Sequence, residues 1–261
     1  MPFAELNGNQ IYYEVTGDGP ETIVFSHGAF LDHTLWQPVV DLLSGEYRCI
    51  TWDARGHGMS ECNGPFDYYD LAADAVGLLD LVGAPNAVFV GMSQGGWISQ
   101  RAALASPDRV RGLGLVGTSL PLLSEQETAG FTQLSQGWLG MGPVGPIADA
   151  IYGIQFSDVP FDGSRYRAAW QGKPPSAWSE VWTTILTKRD DITDRAKDIT
   201  CPVIVVHGTV DAAFTVDSAR AMAEAFPNNR GVTIVEGAPH AVALTHPHEV
   251  ADALRSLGKS L

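Results

Sequence analysis

The run Ala87-Val88-Phe89-Val90-Gly91-Met92-Ser93-Gln94-Gly95-Gly96-Trp97-Ile98-Ser99 decides how the chain reads. The apolar stretch Ala87–Val90 predicts a strand buried on both faces, and the residues from Gly96 to Ala105 predict a helix. Ser93 falls on the tight turn between them. Such a turn strains the serine backbone and projects its hydroxyl from the sheet. Gly91 and Gly95, two residues before and two after, are needed because a larger side chain would collide across the turn. The Gln94 N–H then opens a helix, where it can hydrogen-bond a developing oxyanion. The bland alternative is an incidental Gly/Ser turn; the strand before it and the helix after it favour a nucleophile.

Outward from this turn, short β-branched runs alternate with helix-period segments. Phe3–Leu6 and Gln10–Val15 flank Asn7-Gly8, a hairpin signal. Thr22–Ser26, Tyr47–Trp52, Gly112–Val116, Pro202–His207 and Gly231–Val235 read as further strands buried on both faces. Leu35–Leu43, Tyr68–Leu81, Thr215–Phe226 and Pro247–Leu257 read as helices. The alternation predicts an α/β fold: a mostly parallel eight-stranded sheet flanked by helices, with an antiparallel edge from the hairpin. From Ser119 to Asp190 no strand is predicted. This stretch reads as short helices broken at Gly140-Met141-Gly142-Pro143 and Lys173-Pro174-Pro175, an insertion over one end of the sheet.

A serine hydroxyl needs a base, and the base needs an orienting acid. His240 directly follows the last predicted strand, in Gly237-Ala238-Pro239-His240, and Asp211 follows the preceding one, in His207-Gly208-Thr209-Val210-Asp211. Ser93, Asp211 and His240 then share the carboxyl edge of the sheet, where open α/β sheets place ligands. Glu236 and Asp217 are the rival acids. Glu236 is too near His240 in sequence to reach its ring easily, and Asp217 lies in the next helix. His27 and His207 end buried strands and read as structural, His57 lies in a loop, and His33 reads as loop surface. His246 and His248 read as solvated, at a helix start with Thr245 as N-cap. A second oxyanion donor is expected from His27-Gly28-Ala29-Phe30, as the N–H of Ala29 or, alternatively, of Phe30. No His-x-x-x-His pair occurs on one helix, and no metal site is expected.

Composition bounds the function. The chain has 261 residues, 45% hydrophobic and 18% charged, as in ordinary globular proteins. Thirty acidic against 16 basic residues give a formal charge of −14, which repels nucleic acid and anionic membranes. Three scattered cysteines, Cys49, Cys62 and Cys201, predict neither a disulfide framework nor a zinc cluster, and fit a reducing compartment. Met1 to Gln10 has neither a basic flank nor an apolar stretch and does not read as a signal peptide. No apolar run reaches the roughly 20 residues a spanning helix needs. A cytoplasmic protein with a small-molecule substrate is expected; oligomeric state is not legible.

Together, His27-Gly28, Asp53-x-Arg55-Gly56-x-Gly58-x-Ser60, Gly91-x-Ser93-x-Gly95-Gly96, Gly208-x-x-Asp211 and Ala238-Pro239-His240 resemble the α/β-hydrolase family along nearly the whole chain. Within it the chain is most similar to small bacterial esterases, enol-lactonases and cofactor-free haloperoxidase relatives, differing from many in having Gln94 where Met is frequent. Ser93 in place of an elbow aspartate disfavours dehalogenase and epoxide hydrolase chemistry. The resemblance implies an acyl-enzyme mechanism without metal or organic cofactor, with Ser93 as nucleophile, His240 as base, Asp211 as orienting acid, and the Ala29 and Gln94 N–H groups holding the oxyanion. It also implies a hydrolase core over 1–118 and 191–261 and a helical cap over 119–190.

The cap holds four of the seven tryptophans, and a net charge of −2 against −12 for the core. Phe30, Trp138, Met141, Tyr152, Trp178 and Trp182 are the candidate pocket residues, although any one alone more readily reads as packing. The substrate expected is a small, uncharged ester or lactone. A carboxylate-bearing substrate would call on Arg165, Arg167 or Lys173, which otherwise read as surface. An enol-lactonase and a carbon–carbon bond hydrolase are rival enzymes with the same triad. A non-catalytic receptor on the same fold is the rival of another class.

Overall fold

The computed structural model describes residues 3–259. Met1 and Pro2, part of the stretch read for a leader, lie outside it. β1 (Phe3–Leu6) and β2 (Asn9–Thr16) form the expected hairpin. Its turn, Asn7-Gly8, has φ of 49° and 77°, both positive as a two-residue type I′ turn requires. The remaining strands are β3 (Glu21–Ser26), β4 (Tyr47–Trp52), β5 (Ala87–Met92), β6 (Val110–Val116), β7 (Val203–Gly208) and β8 (Asn229–Val235). They make one eight-stranded sheet in the order β1-β2-β4-β3-β5-β6-β7-β8. Pairing is antiparallel at β1/β2 and β2/β4 and parallel elsewhere.

β5 and β7 are buried along their whole length, as their unbroken apolar runs require. β8 is not: Asn229–Gly231 are exposed and Val232–Ile234 half-buried, because β8 is the edge strand and only β7 pairs with it. The helices of the core are α1 (Gln37–Leu43), α2 (Tyr68–Val82) and α3 (Gln94–Ala105). α2 starts at a capping box between Asp67 and Asp70 and stops at Gly83, whose φ of 66° is the left-handed C-cap conformation. Between β6 and β7 come α4 (Glu125–Met141), α5 (Gly145–Phe156), α6 (Ser164–Gln171) and α7 (Ser179–Thr187), packed partly on one another. α8 (Val216–Glu224), α9 (Val242–Thr245) and α10 (Pro247–Gly258) close the chain. Thr245 is not the N-cap of α10. It ends α9, a single helical turn, and the cap position falls to His246, which is half-buried rather than solvated. No helix among the described residues is long and apolar enough to cross a membrane.

The loop after β4 is a buried polar hub. Asp53 Oδ1 accepts from the His33 backbone N–H at 2.7 Å and pairs with His33 Nδ1 at 2.8 Å, while Oδ2 accepts from the Met59 N–H. Ser60 Oγ donates to the Asp53 carbonyl and accepts from the Tyr12 N–H, tying the loop to β2. Arg55 forms a two-point pair with buried Asp74 of α2, at 2.7 and 2.9 Å. The Asp53-x-Arg55-Gly56-x-Gly58-x-Ser60 signature thus serves as scaffold. His33 is part of it: its side chain is only 11% exposed, against the surface position expected. The sequence gives no sign that a carboxylate 20 residues away draws it inward.

Burial would raise the Asp53 carboxyl, but the His33 hydrogen bond and the nearby His27 and His33 rings outweigh it and hold the pKa at about 2. Burial would lower His33, but Asp53, with Asp32 and Glu14 behind it, raises it above its ordinary value. A depressed carboxyl stabilises the fold above its unfolded pKa and loses that contribution as pH falls through the folded value; a raised histidine contributes fully below its unfolded pKa and loses it as pH rises. The stabilisation from this pair is therefore greatest between pH about 4 and about 6.5. Asp53→Asn should cost about 2 kcal/mol in that window, with a deficit that shrinks toward pH 2, read from urea midpoints across pH 2–8.

Candidate active site

Ser93 joins β5 to α3 with φ 53° and ψ −117°, a conformation that L residues rarely adopt. It persists because its surroundings fix it. The Ser93 N–H donates to the Val116 carbonyl at 3.0 Å. Its own carbonyl accepts from the Gly96 N–H at 2.9 Å and from Thr118 Oγ1 at 2.8 Å. A Cβ on Gly91 would lie 2.0 Å from the Gly95 carbonyl oxygen, and one on Gly95 would lie 2.0 Å from the Ser26 carbonyl oxygen of β3. Both glycines are thus required by main chain packed on main chain, as the spacing predicts.

His240 lies in the loop after β8, 2% exposed, with Nδ1 2.8 Å from Asp211 Oδ2. The other carboxylate oxygen, Oδ1, accepts from the Ala213 and Phe214 N–H groups at 2.7 and 3.0 Å. A carboxylate only accepts, so the His240 proton facing it sits on Nδ1 and Nε2 is left as the basic nitrogen. Burial would raise the Asp211 carboxyl; His240, followed by His207 and the Phe214 N–H, outweighs burial and keeps it below the ordinary carboxylate range. Of the rival acids, Glu236 and Asp217 are both exposed, and it is Asp211 that meets the imidazole. His207 Nε2 donates to the Phe214 carbonyl at 3.0 Å and His27 Nε2 accepts from the Ala54 N–H, the structural roles expected of both. His57 is buried in the loop after β4, where burial pushes it well below its ordinary value.

Ser93 and His240 line one cavity of about 140 Å³, with Ala29 and Phe30 from the loop after β3. Trp97 of α3 and Phe214 form part of the core side. The helical segment contributes Leu123, Glu127, Phe131, Ile151, Ile154, Gln155 and Ile185. The lining is predominantly apolar.

The expected pocket aromatics sit elsewhere, Phe30 excepted. Trp138, Trp178 and Trp182 are buried behind Phe30, with ring centroids 5.1, 5.9 and 4.6 Å from it. Met141 ends α4 and is 74% exposed. Tyr152 packs on Phe156 with the rings tilted, and its hydroxyl donates to the Phe161 carbonyl. Phe30 itself has φ 64°, and its carbonyl accepts from Trp170 Nε1. The tryptophans therefore fasten the helical segment to the loop after β3, while isoleucines face the space.

Gln155 escaped the sequence reading. It is 4% exposed on α5; its Nε2 donates to the Ala29 carbonyl at 3.3 Å, and its backbone carbonyl accepts from the Ala241 N–H at 2.8 Å. One residue of the helical segment thus touches both the loop of Ala29 and the loop of His240. A lone glutamine in a helix carries no signal of such a role.

A family model described as "Alpha/beta hydrolase family" matches residues 23–253. The chain belongs to that family. It is 26% identical to a pimeloyl-(acyl-carrier protein) methyl ester esterase of Aliivibrio salmonicida, over 92% of each chain. It is 28% identical to a non-heme chloroperoxidase of Streptomyces lividans, over 97% of this chain and 98% of that one. Among solved structures, the enol-lactonase from Burkholderia xenovorans LB400 superposes with a TM-score of 0.87 at 25% identity, over 99% of this chain and 100% of that one. An α/β hydrolase with esterase and enol-lactonase relatives is a hydrolase at the level of reaction class.

The glycine at the turn gives a direct stability test. Gly95→Ala should destabilise by about 3 kcal/mol or more, because backbone cannot step aside for the added carbon, and should be seen as a large fall in thermal midpoint or as loss of folded protein.

Proposed function

We propose that the protein is a serine hydrolase that cleaves a small, uncharged carboxylic ester through an acyl-enzyme intermediate. The observation that carries this reading is the 2.8 Å contact between His240 Nδ1 and Asp211 Oδ2, in a ring whose other side shares the cavity of Ser93. In this reading Ser93 Oγ attacks the ester carbonyl carbon and gives its proton to His240 Nε2. The tetrahedral oxyanion is held by the N–H groups of Ala29 and Gln94. Its collapse breaks the bond to the alkoxy oxygen, which takes the proton from His240 and leaves as an alcohol. Water then gives a proton to His240 and attacks the acyl-Ser93 carbonyl; collapse breaks the bond to Ser93 Oγ, which takes the proton back from His240 as the acid leaves. Every step uses side chains and main-chain groups of the chain itself.

Residues 119–190 act as a cap over the core formed by 1–118 and 191–261. The 140 Å³ cavity suits an acyl group of about the size of benzene. The three basic residues that could have met a substrate carboxylate are committed elsewhere. Arg165 pairs with Asp32, Arg167 pairs with Asp149, and Lys173 donates to the Gly56 carbonyl beside the Trp178 ring. This supports an uncharged substrate. The full-length likeness to an enol-lactonase favours a lactone as the second reading, served by the same residues. The three cysteines are free thiols, which supports a cytoplasmic setting.

With p-nitrophenyl butyrate, Ser93→Ala should lower kcat by about 10⁴-fold or more at an unchanged thermal midpoint. A near-normal rate would remove Ser93 from the mechanism. Asp211→Asn should lower kcat by about 10⁴-fold while leaving KM within a few-fold, because the imidazole loses its tautomer and orientation rather than its substrate. A fluorophosphonate should add its mass to Ser93 in the wild type, located by peptide mass spectrometry.

A further inference from the structure

A single acidic side chain stands at the doorway of the cavity. Glu127, the third residue of α4, lines both the cavity of Ser93 and an outer cleft of about 190 Å³ that adjoins it. Leu123, Ala213 and Phe214 are the other residues common to both spaces. The Glu127 carboxylate is held by the helix start: Oε2 accepts from the Ser124 N–H at 2.7 Å and from Ser124 Oγ at 2.6 Å. Among the described residues, His240 and Glu127 are the ionisable side chains that line these two spaces, and no lysine or arginine does. Arg189 is buried behind the lining, against Trp97 of the cavity and Ser119 of the cleft. Its guanidinium lies 3.9 Å from the Trp97 ring centroid, and Nη2 donates to the Ser119 and Leu120 carbonyls. Burial lowers its pKa to about 10, above neutrality, so it stays charged there; Nη2 is held by those carbonyls, while Nε and Nη1 meet no hydrogen-bond acceptor among the described residues.

Glu127 borders both spaces, and the cleft is the one left for the departing half of a substrate once the cavity holds the acyl group. The Phe214 ring centroid lies 5.6 Å from that of His240, so the outer cleft opens beside the imidazole that returns the proton to the departing alcohol. We propose that Glu127 is a specificity-determining residue that filters the leaving group by charge, admitting neutral and ammonium-bearing alcohols and rejecting carboxylate-bearing ones. This rests on the ester-hydrolase reading and deepens it. The physical cause is the Coulomb interaction of an exposed carboxylate, held in place by Ser124, with a charge in the adjoining cleft, whose lining holds no lysine or arginine. The net charge of −14 acts in the same direction at longer range, so the two contributions have to be separated.

Glu127→Gln separates them, because glutamine also serves at the third position of a capping box and the helix start is kept. The substrates are butyrate esters of three alcohols: 2-(trimethylammonio)ethanol, its neutral isostere 3,3-dimethylbutanol, and 3-hydroxypropanoate. At low ionic strength the wild type should favour the ammonium ester over its isostere about fivefold in kcat/KM, and disfavour the carboxylate ester by a similar factor. In Glu127→Gln both ratios should move toward one. In the wild type they should shrink in 0.5 M NaCl. An ammonium-to-neutral ratio of one in the wild type, or a preference that survives in Glu127→Gln, overturns the assignment; in the latter case the net charge does the selecting. A second measurement needs no turnover. The two free alcohols, ammonium and neutral, are titrated into Ser93→Ala and Ser93→Ala/Glu127→Gln by calorimetry. The ammonium alcohol should bind about fivefold tighter than its isostere in the first protein and equally in the second. Failure of all three esters to turn over refutes the ester reading, while the binding ratio still decides the role of Glu127.

Discussion

Everything at the site depends on main chain meeting main chain where α3 crosses the end of β5. Gly91 lies against the Gly95 carbonyl, and Gly95 against the Ser26 carbonyl of the neighbouring strand. At such distances no side chain can separate the elements, so the turn is compressed and Ser93 is driven to positive φ. The strain is retained because Val116, Gly96 and Thr118 hold both polar groups of the Ser93 peptide units. The hydroxyl is therefore presented in one place, and the loops bearing Ala29, Asp211 and His240 are arranged around it at the carboxyl edge of the sheet.

Two further layers keep those loops in place, and both rely on satisfied buried polar groups. On one side, the hub of Asp53, His33, Ser60, Arg55 and Asp74 pins the loop after β4 to β2, α2 and the turn after β3. On the other, the helical segment grips the turn after β3 by the aromatic cluster about Phe30 and by Trp170 Nε1 on its carbonyl, and Gln155 bridges that turn to the His240 loop. The helical segment is thus joined to the loops of Ala29 and His240, and a displacement of α5 would disturb both at once.

The features legible in sequence were those with local causes. The Gly-x-Ser-x-Gly turn follows from sterics within five residues, the hairpin from Asn7-Gly8, and the sheet from apolar runs of strand length. Asp211 and His240 were legible from their places after β7 and β8, since topology fixes where strand ends point. What was not legible depended on partners distant in sequence. His33 reads as surface until Asp53 is placed beside it. Gly231–Val235 reads as a strand buried on both faces until the sheet order puts β8 at the edge. The cap tryptophans read as pocket until the helix faces are known: aromatic content alone does not tell whether a ring meets the cavity or the Phe30 that walls it. Gln155 and Glu127 are unremarkable in sequence, and only the folded positions of α5 and the start of α4 bring them to the cavity.

The division of labour at Asp211 shows how little freedom the arrangement leaves. Its Oδ1 is taken by two backbone N–H groups from its own loop, and Oδ2 is left to the imidazole. Those N–H groups fix the plane of the carboxylate, the carboxylate fixes the proton of His240 on Nδ1, and that proton leaves Nε2 as the basic nitrogen. Asp211 is kept ionised against burial chiefly by the histidine it orients, with the Phe214 N–H assisting. Phe214 carries the same order outward: its N–H donates to Asp211, its carbonyl accepts from His207 Nε2, its ring packs near His240, and its side chain helps to wall the cleft where Glu127 stands. The orientation of His240 and the boundary of the outer cleft are therefore set by one short loop after β7, so under the proposed function a change in that loop would alter rate and selectivity together.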